Sequence, residues 1–88
     1  MNPLTDLEYR ILDELYFLTS FQTLKENLKE EESEFRRALK NLLEQELVTQ
    51  IKSTLGREEK LEVPDFNTLE ESYFVASKKG LLIHNTRN

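Results

Sequence analysis

The sequence predicts an α+β domain in which three helices precede a β-hairpin. Two patterns carry this prediction. Apolar residues recur at helical spacing through the first half of the chain, and β-branched and aromatic residues gather in two short runs of the second half. The 88 residues, of which 38% are apolar, suffice for one modest core. A single domain spanning residues 1–88 is therefore expected.

The first helix is predicted over residues 6–18. Thr5 can accept a hydrogen bond from a first-turn amide, and Glu8 three residues later can reach back, as in a capping box. The apolar positions that follow share one helical face; they are Leu7, Ile11, Leu12, Leu15 and Leu18.

Two further helices follow. Ser20 is a candidate N-cap for a short second helix with an apolar stripe of Phe21, Leu24 and Leu28. A third helix is predicted over residues 31–46, with acidic residues in its first turn, where they complement the helix dipole. Its apolar face comprises Phe35, Ala38, Leu39, Leu42 and Leu43.

Strand character marks residues 48–52 and 73–76, and residues 60–63 alternate as a possible third, short strand. Residues 53–72 between the two clear strands hold more apolar side chains than an exposed loop needs. We expect them to pack within the domain rather than to form a partner surface, although both remain open; they are Leu55, Leu61, Val63, Phe66 and Leu69. Near the end of the chain, Leu82 or Ile83 is expected to pack back onto the first helix.

Two segments carry a resemblance to a known family. Residues 24–48, LKENLKEEESEFRRALKNLLEQELV, resemble the helix-turn-helix core of bacterial winged-helix regulators, in which a short helix, a tight turn and a recognition helix end in a Leu-Val that enters the wing. Residues 74–80, FVASKKG, are similar to the segment that closes the wing in MarR- and PadR-like regulators. The resemblance implies a winged helix-turn-helix domain, with the helix-turn-helix at about residues 21–46 and the wing at about 47–77.

The sequence also departs from that family. Lys25 stands where the motif usually has a small alanine, and Lys29 and Glu46 stand where it often has glycine, at the turn and before the wing. The few residues after Gly80 are too short for the long dimerisation helix of those regulators. A homodimer built through that helix is therefore not expected, while other homodimers remain open.

The resemblance implies duplex DNA binding in transcriptional control. In the recognition helix, Ser33, Arg36, Arg37 and Lys40 would face the major groove. A second set would contact the DNA backbone from the second helix and the wing; it comprises Lys25, Lys29, Lys52, Arg57 and Lys60. Against DNA stand the net charge of −5 and the acidic residues that border the recognition helix. The alternative is a winged-helix protein-interaction module that does not bind nucleic acid.

Other classes of function find no support in the sequence. The absence of Cys removes disulfides, thiolate catalysis and thiolate metal sites, and the single His84 has no companion for a zinc site or a catalytic triad. We therefore expect no enzyme activity, no metal and no cofactor. No apolar run is long enough to span a membrane, and no secretory signal precedes the first helix, so a cytoplasmic location without membrane association is expected.

Overall fold

The computed structural model describes residues 4–86 and shows a small α+β domain. Residues 4–86 form four α-helices, four β-strands and one 3-10 helix. In chain order they are α1 (Asp6–Glu14), β1 (Thr19–Ser20), α2 (Phe21–Leu28), α3 (Glu32–Glu44), β2 (Val48–Thr54), β3 (Arg57–Lys60), the 3-10 helix (Phe66–Glu71), β4 (Tyr73–Ala76) and α4 (Lys78–Asn85). The predicted fold class is thus confirmed at the level of an α+β domain.

The strands form one antiparallel sheet in the order β1-β4-β2-β3. Val48 lies opposite Ala76 in the β2–β4 pair, and Ile51 lies opposite Lys60 in the β2–β3 pair. Strand β3 therefore lies at one edge of the sheet. The chain that follows it must pass β2 to reach β4, which lies between β1 and β2.

The hydrophobic core lies among α1, α2, α3 and one face of the sheet. The apolar face predicted for α3 is buried throughout, as are the stripe of α2 and three of the five positions predicted for α1. The largest apolar side chains with almost no exposure are Phe35, Phe74, Ile11, Leu12, Leu15, Leu24, Leu39, Leu42, Leu47 and Leu69. Because these residues come from the helices and from the sheet, their packing fixes the orientation of α3 relative to the sheet.

Both predicted helix caps are formed. Thr5 Oγ1 accepts from the Glu8 amide at 3.1 Å, and Glu8 Oε1 accepts from the Thr5 amide at 2.9 Å. The Ser20 hydroxyl accepts from the Thr23 amide at 3.1 Å and so begins α2. Each cap satisfies an amide that the first turn of a helix leaves without a partner.

Lys29 and Glu46 adopt the left-handed backbone at positions where the resembling family often has glycine. Their φ angles are 55° and 62°. Lys29 ends α2, where its amide donates to Lys25 at 3.1 Å, and Glu46 follows the end of α3, where its amide donates to Leu43 at 3.0 Å. The turns thus keep their geometry without glycine, at a conformational cost of about 1–2 kcal/mol per residue.

The structure corrects two of the predicted boundaries. Helix α1 ends at Glu14 rather than residue 18, because the Leu15 carbonyl accepts from the Ala76 amide at 2.8 Å and the chain turns into β1. The strand predicted at residues 60–63 lies instead at Arg57–Lys60, joined to β2 by a turn in which Leu55 and Gly56 both have positive φ. This geometry matches the right-handed twist of a two-residue hairpin.

The C-terminal segment forms the helix α4. Ser77 caps it by accepting from the Gly80 amide at 3.0 Å. Of the two candidates for packing onto α1, Ile83 contacts the core, whereas the side chain of Leu82 is exposed. A β-carbon at Gly80 would lie 2.1 Å from the Leu47 carbonyl oxygen, so α4 approaches the backbone before β2 as closely as only glycine allows.

Candidate functional site

The outer face of α3 carries the four residues that the sequence predicts to read DNA. Ser33, Arg36, Arg37 and Lys40 all lie on the side of the helix away from its buried face. The Ser33 hydroxyl donates to Glu31 at 3.0 Å, within the same turn. The structure therefore presents these residues on one surface, and their use depends on what else contacts them.

Arg36 is held by three groups of the protein itself. Its Nε donates to Glu32 at 2.8 Å, its terminal nitrogen pairs with Glu70, and its guanidinium carbon lies 5.1 Å from the centroid of the Phe21 ring. The hydrogen bond to Glu32 and the charge of Glu70 raise the pKa of Arg36 above its ordinary value. Arg36 is thus a structural cation that joins α3, α2 and the segment before β4.

Glu32 connects Arg36 to a second predicted DNA contact, Lys25. The Lys25 ammonium lies 2.6 Å from Glu32 Oε1, while Glu32 Oε2 accepts from Arg36. The hydrogen bond to Lys25 and then that to Arg36 lower the pKa of Glu32 below its ordinary value of 4.5. With Glu70 included, two cations face two carboxylates, and this cluster offers a phosphate no net positive charge.

Residues 61–72, which we call the strap, supply three of the partners on this surface. The strap runs from the end of β3 to the start of β4 and includes the 3-10 helix. Besides Glu70 on Arg36, it places the Phe66 ring 5.7 Å from the Lys40 ammonium and the Asp65 carboxylate 3.7 Å from the Lys52 ammonium. The strap therefore lies against the surface from which α3 and β2 would contact DNA.

The other residues predicted to contact DNA make fewer or longer contacts with the rest of the protein. Arg37 is 74% exposed, and its ion-pair partner, Glu34, lies 3.9 Å away. Lys29 is exposed at the turn between α2 and α3. Arg57 and Lys60 are exposed at the two ends of β3, with Glu58 and Glu59 between them. The exposed basic residues thus belong to separate elements and are interleaved with acids.

The position of the strap depends on one buried polar side chain, Gln50 of β2. Its amide nitrogen donates to the Asp65 carbonyl at 3.0 Å and to the Ser72 hydroxyl at 2.8 Å, and its oxygen accepts from the Asp65 amide at 2.9 Å. Ser72 in turn donates to the Thr68 carbonyl at 2.8 Å. Gln50 thereby contacts both ends of the 3-10 helix, at Asp65 and at Ser72.

Sequence reasoning did not assign a role to Gln50, Asp65 or Glu70, because a polar residue in a strand run and acids in a loop carry no distinctive spacing. The only feature of the sequence that pointed to this segment was the number of apolar residues in positions 53–72. In the structure, some of these residues are buried and others are exposed. Leu69 is buried and Phe66 and Leu61 are partly buried, as self-packing predicts, whereas Leu55 and Val63 are exposed.

An open cleft of about 600 Å³ lies beside the strap, between the last turn of α3 and the start of β2. Its lining includes apolar side chains from the helix, the strand and the strap. They are Leu43, Val48, Leu61, Val63, Pro64 and Phe66. Its volume lies within the range of about 300–1,000 Å³ that is typical of ligand-binding clefts.

Comparison with protein-family models, curated proteins and solved structures found no match for this chain. Among the described residues, no three His, Cys, Asp or Glu side chains are grouped as metal ligands would be. Within the same part of the chain, no helix has the length and apolar character needed to cross a bilayer. The candidate site is accordingly defined by the outer face of α3, the strap and the cleft.

Proposed function

We propose that this chain is a winged-helix protein-interaction module and that the outer face of α3 does not read DNA. The observation that carries the proposal is the strap, which places Glu70, Phe66 and Asp65 against Arg36, Lys40 and Lys52. A DNA-reading arginine needs its guanidinium free for a base edge or a phosphate. Arg36 instead directs its donors at two carboxylates of its own chain.

The order of elements supports the winged-helix part of the proposal. Three helices precede the β2–β3 hairpin, and the short β1 between α1 and α2 pairs with β4 to complete the sheet. The left-handed residues Lys29 and Glu46 stand at the two turns where the resembling regulators often have glycine. The β2–β3 hairpin then corresponds to the wing.

Charge supports the protein-interaction part. The chain carries a net charge of −5, and α3 begins with Glu32 and Glu34 directly after Glu30 and Glu31. In a helix-turn-helix complex the first turn of the recognition helix approaches the bases, so these acids would repel phosphates where DNA comes closest. A partner protein does not carry the row of phosphates that these acids would repel.

The first experiment measures DNA binding directly. A fluorescein-labelled duplex of mixed sequence is titrated with the protein at about 50 mM salt, where counterion release makes nonspecific binding strong. We expect no salt-sensitive binding, and we expect the Arg36→Ala, Arg37→Ala double variant to behave as the parent does. Binding by the parent that weakens steeply with added salt and disappears in the double variant would overturn the proposal.

The second experiment tests for a protein contact in the cells that make this chain. A photoreactive benzoylphenylalanine replaces either Val63, at the cleft, or Arg37, on the outer face of α3. We expect a nuclease-resistant, protease-sensitive adduct from position 63. A nuclease-sensitive adduct from position 37 with no adduct from position 63 contradicts the proposal, because it places nucleic acid on α3.

A further inference from the structure

The cleft beside the strap has an apolar floor and an acidic rim. Leu43 and Val48 form buried parts of its wall, and the exposed Val63 stands at its mouth. Exposed acids from three segments surround this floor; they are Glu44, Glu46 and Glu62. No ion pair within residues 4–86 involves any of the three, and Lys60 is the one cation among the lining residues. The rim therefore favours a positively charged occupant.

One wall of the cleft is the part of β2 at Val48, which is 4% exposed and lies beyond the residues paired with β3. The Gln50 carbonyl accepts from the Leu61 amide at 2.9 Å, and alternation along an antiparallel ladder turns the amide and carbonyl of Val48 to the same side. The register of β2 and β3 would set Val63 opposite Val48, but the chain bends away at Glu62 and Val63. The edge of β2 at Val48 is thus left without the strand that would continue β3.

We propose that an extended segment of a partner protein, with alternating apolar and basic residues, adds to β2 at Val48 and fills this cleft. The inference rests on the proposed function and names its partner class. Backbone hydrogen bonds to Val48 supply affinity, as in β-strand addition. Apolar side chains of the segment enter the cleft toward Leu43 and Phe66, and its basic side chains meet the acidic rim.

The test uses a synthetic peptide, lysine-valine-lysine-valine-lysine, titrated into the ¹⁵N-labelled full chain and followed by nuclear magnetic resonance. We expect the amide signal of Val48 to shift and its hydrogen exchange to slow. A peptide with glutamate in place of each lysine should bind at least about tenfold more weakly, which corresponds to about 1.4 kcal/mol.

Two charge-matched double variants locate the contact. Glu44→Lys with Glu62→Lys reverses the rim and should weaken binding of the lysine peptide by about tenfold. Glu26→Lys with Glu58→Lys changes the net charge equally at exposed positions that do not line the cleft. This control should change the affinity by less than about twofold, since exposed charges at a distance are screened by salt.

Several results overturn the inference. They are an unshifted Val48 signal, equal weakening by both double variants, and equal binding of the glutamate peptide. Sedimentation showing self-association that the rim variant abolishes would assign the cleft to a second copy and overturn it as well. Salt-sensitive DNA binding by the parent protein would contradict the proposed function. If the parent binds neither DNA nor the lysine peptide, only the assignment of the cleft is refuted.

Discussion

Replacing Arg36 by alanine should destabilise the fold, whereas replacing its neighbour Arg37 should leave stability almost unchanged. If both arginines served only to contact DNA, both replacements would be neutral for folding. The structure separates them, because the Arg36 side chain is 28% exposed and touches three groups, while the Arg37 side chain is 74% exposed.

The size of the effect follows from the three interactions of the Arg36 guanidinium. The pair with Glu32, one turn away on the same helix, is exposed to solvent and adds little. The pair with the largely exposed Glu70 contributes about 0.2–1 kcal/mol, and the packing on the Phe21 ring about 0.5–1 kcal/mol. Arg36→Ala should therefore lower the free energy of unfolding by about 1–2 kcal/mol. Arg37→Ala should change it by less than about 0.5 kcal/mol, as for most exposed positions.

Urea denaturation followed by far-ultraviolet circular dichroism measures this difference. With an m value of about 1 kcal/mol/M for a chain of this size, the midpoint of Arg36→Ala should fall by about 1–2 M relative to the parent. Arg36→Lys, which keeps the charge but not the planar fork, should give an intermediate midpoint. Equal midpoints for Arg36→Ala and Arg37→Ala would refute the structural role of Arg36.

Three further predictions concern stability and are checked by the same denaturation experiment. Gly80→Ala should cost about 1–3 kcal/mol, because its β-carbon meets backbone atoms. Gly56→Ala has open space but a positive φ and should cost about 1 kcal/mol. The reverse order would contradict the close approach of α4. Gln50→Leu should cost about 1–3 kcal/mol by leaving buried partners without hydrogen bonds, and a neutral result would deny it a role in holding the strap. The lowered pKa of Glu32, caused first by its hydrogen bond to Lys25, means that its contribution is full above pH 4.5 and is lost as pH falls through the lowered value. Glu32→Gln should therefore be less stable than the parent at neutral pH, and the difference should shrink as the pH falls below 4.5 and Glu32 of the parent is protonated. A difference that stays constant with pH would refute this assignment.

Most of the helical half could be predicted from sequence. The apolar faces of α2 and α3 and the caps at Thr5 and Ser20 depend on residues within one or two turns of each other, so local spacing is enough to identify them. Strand β4 was found in the same way. Strand β3 was misplaced because Arg57–Lys60 is entirely charged and carries no alternation of apolar and polar residues.

The candidate site was predicted only in part. Sequence placed Arg36 and Lys40 on the outer face of α3, where the structure also has them, but it could not show what lies against that face. Glu70 is 34 residues from Arg36, and nothing in the spacing of charges identifies one acid among many as its partner. The prediction of DNA contact therefore took no account of the strap.

Sequence by itself determined the buried faces of α2 and α3 and the beginnings of α1 and α2 at the caps Thr5 and Ser20. These features follow from interactions between near neighbours along the chain. Only the tertiary structure decided that the strap crosses to α3 and leaves a cleft beside β2. That arrangement depends on Gln50 reaching Asp65 and on the sheet order, which brings together segments whose distance in sequence leaves no local trace.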